Sequence, residues 1–462
     1  MDILLTHGYF LFEDEAERRV MKPYPTLGIL YISAYLKSKG FSVSIFDSTF
    51  SSKKEFCTFI ETERPSFVGI YSNLMTKFNV VEQIRFCKKF NCKIIVGGPD
   101  VPKYADNYLN IGADVAVIGE GEETIAELLP AIQQSGVHQL QSINGIVFRD
   151  EDGKYIHTPS RPLIQNLDSL PFPDRAAIDV PRYVQTWKTH HGMGSVSLIC
   201  ARGCPYTCTW CSRSVFGETH RRRSAINVVN EIALLIDEYK PDMLWFADDV
   251  FTINQKWFYE FYAEMKKRGI KIPFECISRA DRLNEDILQK MAELGAFRIW
   301  YGAESGSQKI LDAMQRRVTV EEIHRVTRFA KHFGIEAGYF IMLGYPGETL
   351  DDIEATVQLL TTAQPDIFLT TVAYPIKGTP FYEKVEKKIT TNVAWDETSD
   401  RQLRFSGRFS DRFYFFANRY VVNEVEFQKL SQNNAASFKK VISTFAKSKT
   451  SRLMMDLLAQ NY

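Results

Sequence analysis

Short apolar stretches alternate with helix-length segments twice along this chain, and no other feature narrows its fold as much. From residue 2 to about 133 the stretches ILLTH, SVSIFD, FVGIYS, KIIVGG and DVAVIG are separated by segments of helical period, the pattern of a parallel sheet covered on both faces. The helix expected to begin near Thr26 puts Leu27, Leu30, Tyr31 and Ala34 on one side, and Gly40 stops it. A second alternation runs through SVSLIC, MLWFADD, IPFECIS, FRIWYGAES, IEAGYFIMLG and FLTTVAYPI. Six βα units of this kind predict an incomplete barrel.

Between the two series, INGIVFRDEDGKYIH reads as two short strands around Asp-Gly, followed by a proline-rich tract. The last seventy or so residues lose the rhythm and carry the run RFSGRFSDRFYFFANRY before a helical tail. The expected organisation is α/β throughout: a Rossmann-like domain over 1–140, a hairpin and linker over 141–189, a partial (β/α)6 TIM-type barrel over 190–385, and a small, mostly helical C-terminal region over 386–462. With 462 residues and 45% hydrophobic content, the chain is long enough for two or three cores.

Fifty-six basic residues balance fifty-six acidic ones, so no net field draws the molecule toward nucleic acid or an anionic membrane. The start MDILLTHGYF has no basic region leading into an apolar one. Nowhere do about eighteen apolar residues run together. A cytoplasmic protein without a membrane span is the expectation.

Half of the eight cysteines lie between Cys200 and Cys211, in ICARGCPYTCTWCSRS. Such clustering suits metal binding in a reducing compartment better than a disulfide framework. Cys204, Cys208 and Cys211 form C-x-x-x-C-x-x-C on a loop after the first barrel strand, on the face where such folds place active sites. Three thiolates on a four-iron cluster leave one iron open. That open corner can chelate the amino and carboxylate groups of a substrate and pass it one electron. The alternative is structural zinc with Cys200 as fourth thiolate. Otherwise Cys200 ends its strand as a small buried residue.

These residues resemble the radical S-adenosylmethionine (SAM) superfamily, and the likeness extends over about residues 190–385, including LGYPGET and YPIKGTPFY. The resemblance implies a [4Fe-4S] cluster on Cys204, Cys208 and Cys211, with SAM on its open iron. Trp210, before the third cysteine, then packs near the SAM adenine, with plain core packing as the alternative. Asp248 in FADDVFT faces the SAM amino group or caps the next helix, a role assigned mainly to Asp249. Arg279 in CISRADRL offers a guanidinium to the SAM carboxylate, and Glu304 and Ser305 in YGAES offer acceptors to its amino or ribose groups. An ordinary buried ion pair is the alternative for Arg279 and Glu304.

Residues 2–135 resemble the cobalamin (B12)-binding domain of the corresponding subfamily, through YPTLGILYISAYL, GIYSNLMT, IVGGPD and IGEGEET. The resemblance places Ser72, Asn73, Thr76, Gly97, Gly98, Gly119 and Glu120 in loops facing the corrin, at the carboxyl ends of parallel strands. None of the eight histidines falls in the Asp-x-His-x-x-Gly pattern of a lower axial ligand. An empty, degenerate scaffold is the alternative.

The implied activity is reductive cleavage of SAM to a 5′-deoxyadenosyl radical, with cobalamin-dependent methylation of an unactivated centre. Cyclisation, rearrangement or oxidation without methyl transfer is the rival outcome. The implied partners are a small-molecule or natural-product substrate and a one-electron donor such as a flavodoxin or ferredoxin. A rival of another class, an RNA-binding modifier or scaffold, draws on the arginine and aromatic run from Phe405 to Tyr420. Packing of those rings beside a substrate pocket is the plainer reading, and His220 to Arg223 reads as a structural cluster before a helix; nucleic acid is not expected as a partner.

Overall fold

The computed structural model describes residues 1–432 and 437–460. Two compact units divide the chain: 1–205, 212–247 and 392–401 form the first, and 206–211, 248–391 and 402–462 the second.

In the first unit, β1 (Ile3–His7), β2 (Val43–Phe46), β3 (Phe67–Tyr71), β4 (Lys93–Gly97) and β5 (Val115–Val117) are parallel. Their side chains alternate between two cores. Leu4, Val68, Ile70, Ile94 and Val96 face one side, and Ile3, Leu5, Ile95, Val115 and Val117 the other. Both sides are apolar because helices cover both, which is why the strands read as unbroken apolar runs. The helix Leu27–Ser38 matches the expected one, and Gly40 beyond it has φ +89°, a conformation that costs glycine little.

The Asp-Gly hairpin, β6 (Ile146–Arg149) and β7 (Tyr155–His157), pairs antiparallel with β5 and extends the sheet to the order β2-β1-β3-β4-β5-β6-β7. The sequence pattern set this hairpin outside the sheet. Pairing it removes the open edge that β5 would present.

Residues 392–401, read from sequence with the C-terminal region, pack within the first unit. Trp395 meets Tyr108 edge-on at 4.7 Å, and the Lys77 ammonium stands 4.1 Å from its ring centre while donating to the Thr398 carbonyl at 2.6 Å.

The second alternation supplies six strands: β8 (Ser195–Leu198), then, after the two-residue pair β9 (Ala201–Arg202) and β10 (Arg221–Arg222), β11 (Met243–Phe246), β12 (Phe274–Ser278), β13 (Ala296–Glu304), β14 (Glu336–Leu343) and β15 (Ile367–Val372). β8 pairs parallel with β11 in the first unit. In the second unit β12, β13, β14 and β15 pair parallel in that order. Trp300 lies flat on Phe340 at 5.2 Å, and a β-carbon on Gly338 would sit 2.6 Å from the indole. Glycine there gives the ring its place.

The basic run before the helix Ala225–Tyr239 is internal. Arg223 and Arg175 both donate to Glu231, which is fully buried, Arg175 at 2.6 Å. In the second unit the arginine and aromatic run leads into the helix Asp411–Ser431, where Phe413, Tyr414 and Tyr420 are buried, as is Phe405 before it. Those rings fill a core. No helix among the described residues is long and apolar enough to cross a membrane.

Removing one member of a buried charge cluster leaves the others unpaired in a low-dielectric site. Glu231→Ala should therefore destabilise the protein by about 3–5 kcal/mol, read as a lowered thermal midpoint. A melting curve superimposing on the wild type's would contradict this account of the triad.

Candidate active site

The segment 203–220 leaves β9 and returns through β10, whose antiparallel pairing joins its two ends. Gly203, at φ +85°, makes that closure possible, since a β-carbon there would lie 2.3 Å from the Thr219 carbonyl oxygen. Cys204 is half-buried, Cys208 buried and Cys211 half-buried. The Cys211 N–H donates to the Cys208 carbonyl at 3.2 Å, folding the second spacer into a turn.

Within the second unit, Thr209 pins this loop. Its N–H donates to the Met314 carbonyl at 3.1 Å, its hydroxyl meets the Tyr345 hydroxyl at 2.6 Å, and its carbonyl accepts from the Phe381 N–H at 2.9 Å. The end of the helix Gln308–Ala313, the turn after β14 and the helix Pro380–Val385 therefore hold one residue between two of the cysteines. Trp210 packs with Met342, Tyr345, Phe381 and Phe405, and its indole N–H is buried without an acceptor in the protein.

Around Cys208 the geometry is cationic. Arg279, 1% exposed, brings Nη1 to 3.8 Å from the Cys208 sulfur, donates from Nε to Asp281 at 2.8 Å and from Nη2 to the Arg316 carbonyl at 2.6 Å. Its guanidinium lies 3.7 Å above the Tyr206 ring. Arg316 places Nη1 at 3.7 Å from the same sulfur. Glu304 lies 3.6 Å from Arg316. Burial raises the Glu304 pKa, with Arg316 and Arg279 opposing it. Glu304 also stands where β13 breaks register with β14, at φ +55°.

The structure thus gathers Cys208, Arg279 and Glu304. It turns Ser305 elsewhere: its hydroxyl accepts from the Ser307 N–H at 3.1 Å and meets Thr356 at 3.2 Å, beside the start of a helix. Asp248 is buried at the end of β11. Asp249 does not cap the next helix, Gln255–Lys267; Asn254 does, accepting from the Trp257 N–H. The spacer from Val250 to Ile253 moves the helix start beyond the reach of Asp249.

In the first unit, most polar side chains of the predicted corrin-facing set are engaged within the protein. The Ser72 hydroxyl meets Tyr108 at 2.6 Å. The Asn73 carboxamide accepts from the N–H groups of Met75 and Thr76, and the Thr76 hydroxyl turns back to Asn73. Glu120 accepts from Arg202, Arg221 and the Ile164 N–H at 2.7–3.0 Å. Gly98, at φ +112°, lets two loops touch, since a β-carbon would lie 2.3 Å from the Ser72 carbonyl oxygen. Over Gly97 and Gly119 there is space: a β-carbon at either would meet nothing nearer than 3.8 Å.

The profile of the Radical SAM superfamily matches residues 198–360, and that of the B12 binding domain matches residues 18–129. An uncharacterised methyltransferase of Pyrococcus horikoshii is 30% identical over 80% of this chain and 80% of its own. The anaerobic magnesium-protoporphyrin IX monomethyl ester cyclase of Rubrivivax gelatinosus is 27% identical over 74% of this chain and 63% of its own. Among solved structures, the radical SAM methyltransferase TsrM from Kitasatospora setae, with cobalamin and a [4Fe-4S] cluster bound, shares the fold at TM-score 0.73 and 15% identity, covering 97% of this chain and 99% of that one. The chain belongs to the radical SAM superfamily, in the group that carries an N-terminal B12-binding domain. It is a radical SAM enzyme, and its cofactors are SAM, a [4Fe-4S] cluster and cobalamin.

The residues present suit those groups. Two buried guanidiniums turn N–H groups to the Cys208 sulfur, donors of the kind that a sulfur bound to iron accepts. The Trp210 N–H awaits an acceptor, and bare backbone at Gly97 and Gly119 admits a flat ligand closely. Among the described residues no three His, Cys, Asp or Glu side chains gather as a single metal ion would require.

Sequence reasoning missed Arg316, Thr209 and Glu348. Glu348, in LGYPGET, is buried, accepts from the Gly344 N–H at 2.6 Å with one oxygen and has no partner for the other. Burial pushes its pKa from 4.5 up to about 8, against the pull of the Gly344 N–H. A carboxyl raised in this way holds its proton in the folded state, so its contribution to stability is full below the unfolded value and is lost as pH climbs through the folded one. Glu348→Gln should remove that loss and exceed the wild type by roughly 2–4 kcal/mol in unfolding free energy at pH 8. Equal slopes of stability against pH for the two proteins would refute the assignment.

Proposed function

We propose that this enzyme transfers a methyl group, with cobalamin as carrier, to an unactivated carbon or phosphorus centre of a small molecule. The observation that carries the reading is the conjunction, in one chain, of a B12-binding domain and a cysteine loop whose Cys208 lies under two buried guanidiniums. Relatives named as methyltransferases support it. When bound, the cluster and SAM supply the 5′-deoxyadenosyl radical, and cobalamin supplies the methyl group.

The protein's part is to bind, orient and exclude water. Cys204, Cys208 and Cys211 are the proposed cluster ligands. Glu304 and Asp248 are proposed as acceptors for the SAM amino group and Arg279 as a partner of its carboxylate. Trp210 supplies an apolar face and one N–H near the adenine. For Ser305 the proposed contribution is the turn it stabilises. On the cobalamin side, Gly97 and Gly119 give close backbone approach, while Gly98, by letting its loop touch that of Ser72, and Ser72, Asn73, Thr76 and Glu120 hold the shape of the loops. Residues 1–140 and 190–385 are the proposed cofactor domains, 141–189 joins them, and 386–462 helps to shape the substrate pocket. A flavodoxin- or ferredoxin-type electron donor and a reducing cytoplasmic setting complete the proposal.

The test is anaerobic reconstitution with iron and sulfide, then SAM and a reductant. 5′-Deoxyadenosine should form, and changing Cys204, Cys208 and Cys211 together to alanine should abolish it. Persistence of the product in that triple variant would remove the cluster assignment. The Rubrivivax relative is named a cyclase, which gives cyclisation without methyl transfer its standing as a second reading. Product mass divides the two: a gain of one methylene mass unit supports methyl transfer, and an unchanged carbon count supports the second reading.

A further inference from the structure

Arg316 has no part in the roles assigned above, yet the backbone around it is shaped for one purpose. It follows the helix Gln308–Ala313, and its neighbours Gln315 and Arg317 both adopt left-handed conformations, at φ +53° and +52°. Left-handed backbone is costly for residues other than glycine. The turn persists because the Gln315 N–H donates to the Asp312 carbonyl and the Arg316 N–H to the Leu311 carbonyl, both at 2.9 Å.

The conformation swings one arginine side chain into the protein. Arg316 is 8% exposed, and its Nε and Nη2 donate to the Gly302 carbonyl at 3.2 and 3.1 Å. Its remaining donor points at the Cys208 sulfur, at 3.7 Å. Glycine at 302 is required for this: a β-carbon would lie 2.4 Å from Nη2 and 2.1 Å from the Glu304 carboxylate. The Arg316 carbonyl in turn accepts from the Arg279 guanidinium, so the backbone that carries one arginine is tied to the side chain of the other.

Charge points the same way. Arg279 and Arg316 are both buried, with Asp281 and Glu304 as their carboxylate partners, and each turns a further nitrogen to the same sulfur. A buried guanidinium is costly unless its donors find acceptors. The Cys208 sulfur is the acceptor the two arginines share.

We infer that Arg316 is a positioning residue that raises the reduction potential of the cluster, by donating to the thiolate of Cys208 and stabilising the negative charge that arrives with an electron. Hydrogen bonds to cluster sulfurs and local charge set such potentials. The inference rests on Cys208 being a cluster ligand, the reading proposed above.

Arg316→Gln, Arg316→Lys and the exposed neighbour control Arg317→Gln would be reconstituted anaerobically to equal iron and sulfide content. Each would be titrated against redox mediators, with the reduced cluster followed by electron paramagnetic resonance. The midpoint of Arg316→Gln should lie below the wild type's, that of Arg316→Lys between them because it keeps the charge without the fork, and that of Arg317→Gln with the wild type. If Arg316→Gln does not fold, the lysine variant carries the comparison alone. A wild-type midpoint in the loaded Arg316 variants overturns the inference, as does weakened SAM binding with an unmoved midpoint, which would make Arg316 a SAM ligand instead. Failure of the wild type to assemble a cluster would sink the underlying reading rather than this one.

Discussion

Taking a guanidinium out of water is expensive, and around Cys208 the chain does so twice. Much of the local structure exists to make that arrangement tolerable. Arg279 is satisfied by Asp281, by a backbone carbonyl and by the face of Tyr206; Arg316 is satisfied by the Gly302 carbonyl, with Glu304 close by. Apart from Tyr206 in the cysteine loop, each partner comes from the last part of a strand, the turn after one or the turn after a helix, so the cationic pocket depends on those ends being in register. The break in pairing where β13 reaches Glu304 is part of this construction.

The first unit uses a related device for another end. Arg202 and Arg221, from the short pair β9 and β10, reach Glu120 in the loop after β5, and Arg202 also reaches Glu122. A network of this kind adds modestly to stability but specifies one arrangement strongly, because any other leaves buried charge unpaired. It orients the loop at Gly119, whose open backbone is one of the places a corrin could approach.

Strand positions were legible because burial on both faces writes itself into sequence as continuous apolar runs, as in ILLTH and KIIVGG. The helix from Leu27 was legible through its period and its terminal glycine. The cysteine loop could be read because its spacing is local. Arg316 could not: nothing in MQRRV tells which arginine turns inward, since the answer lies in left-handed neighbours and in the absence of a side chain at Gly302, fourteen positions earlier. Thr209 escaped because its partners are distant in sequence, and Glu348 because its one partner, Gly344, is local while its burial is set by the fold around it. Side-chain roles assigned by loop position were the least readable, as Ser72 and Ser305 illustrate: a hydroxyl at a strand end has several neighbours to choose from.

The segment around Trp395 bears on how such a protein can be taken apart. Ten residues that follow β15 complete the packing of the N-terminal unit, through an indole clasped by Lys77 and Tyr108. A gene fragment ending at the linker would leave that lysine without its aromatic cover and carbonyl acceptor. Module exchange between related enzymes, in the laboratory or by recombination, therefore has to carry residues 392–401 together with the N-terminal stretches they pack against.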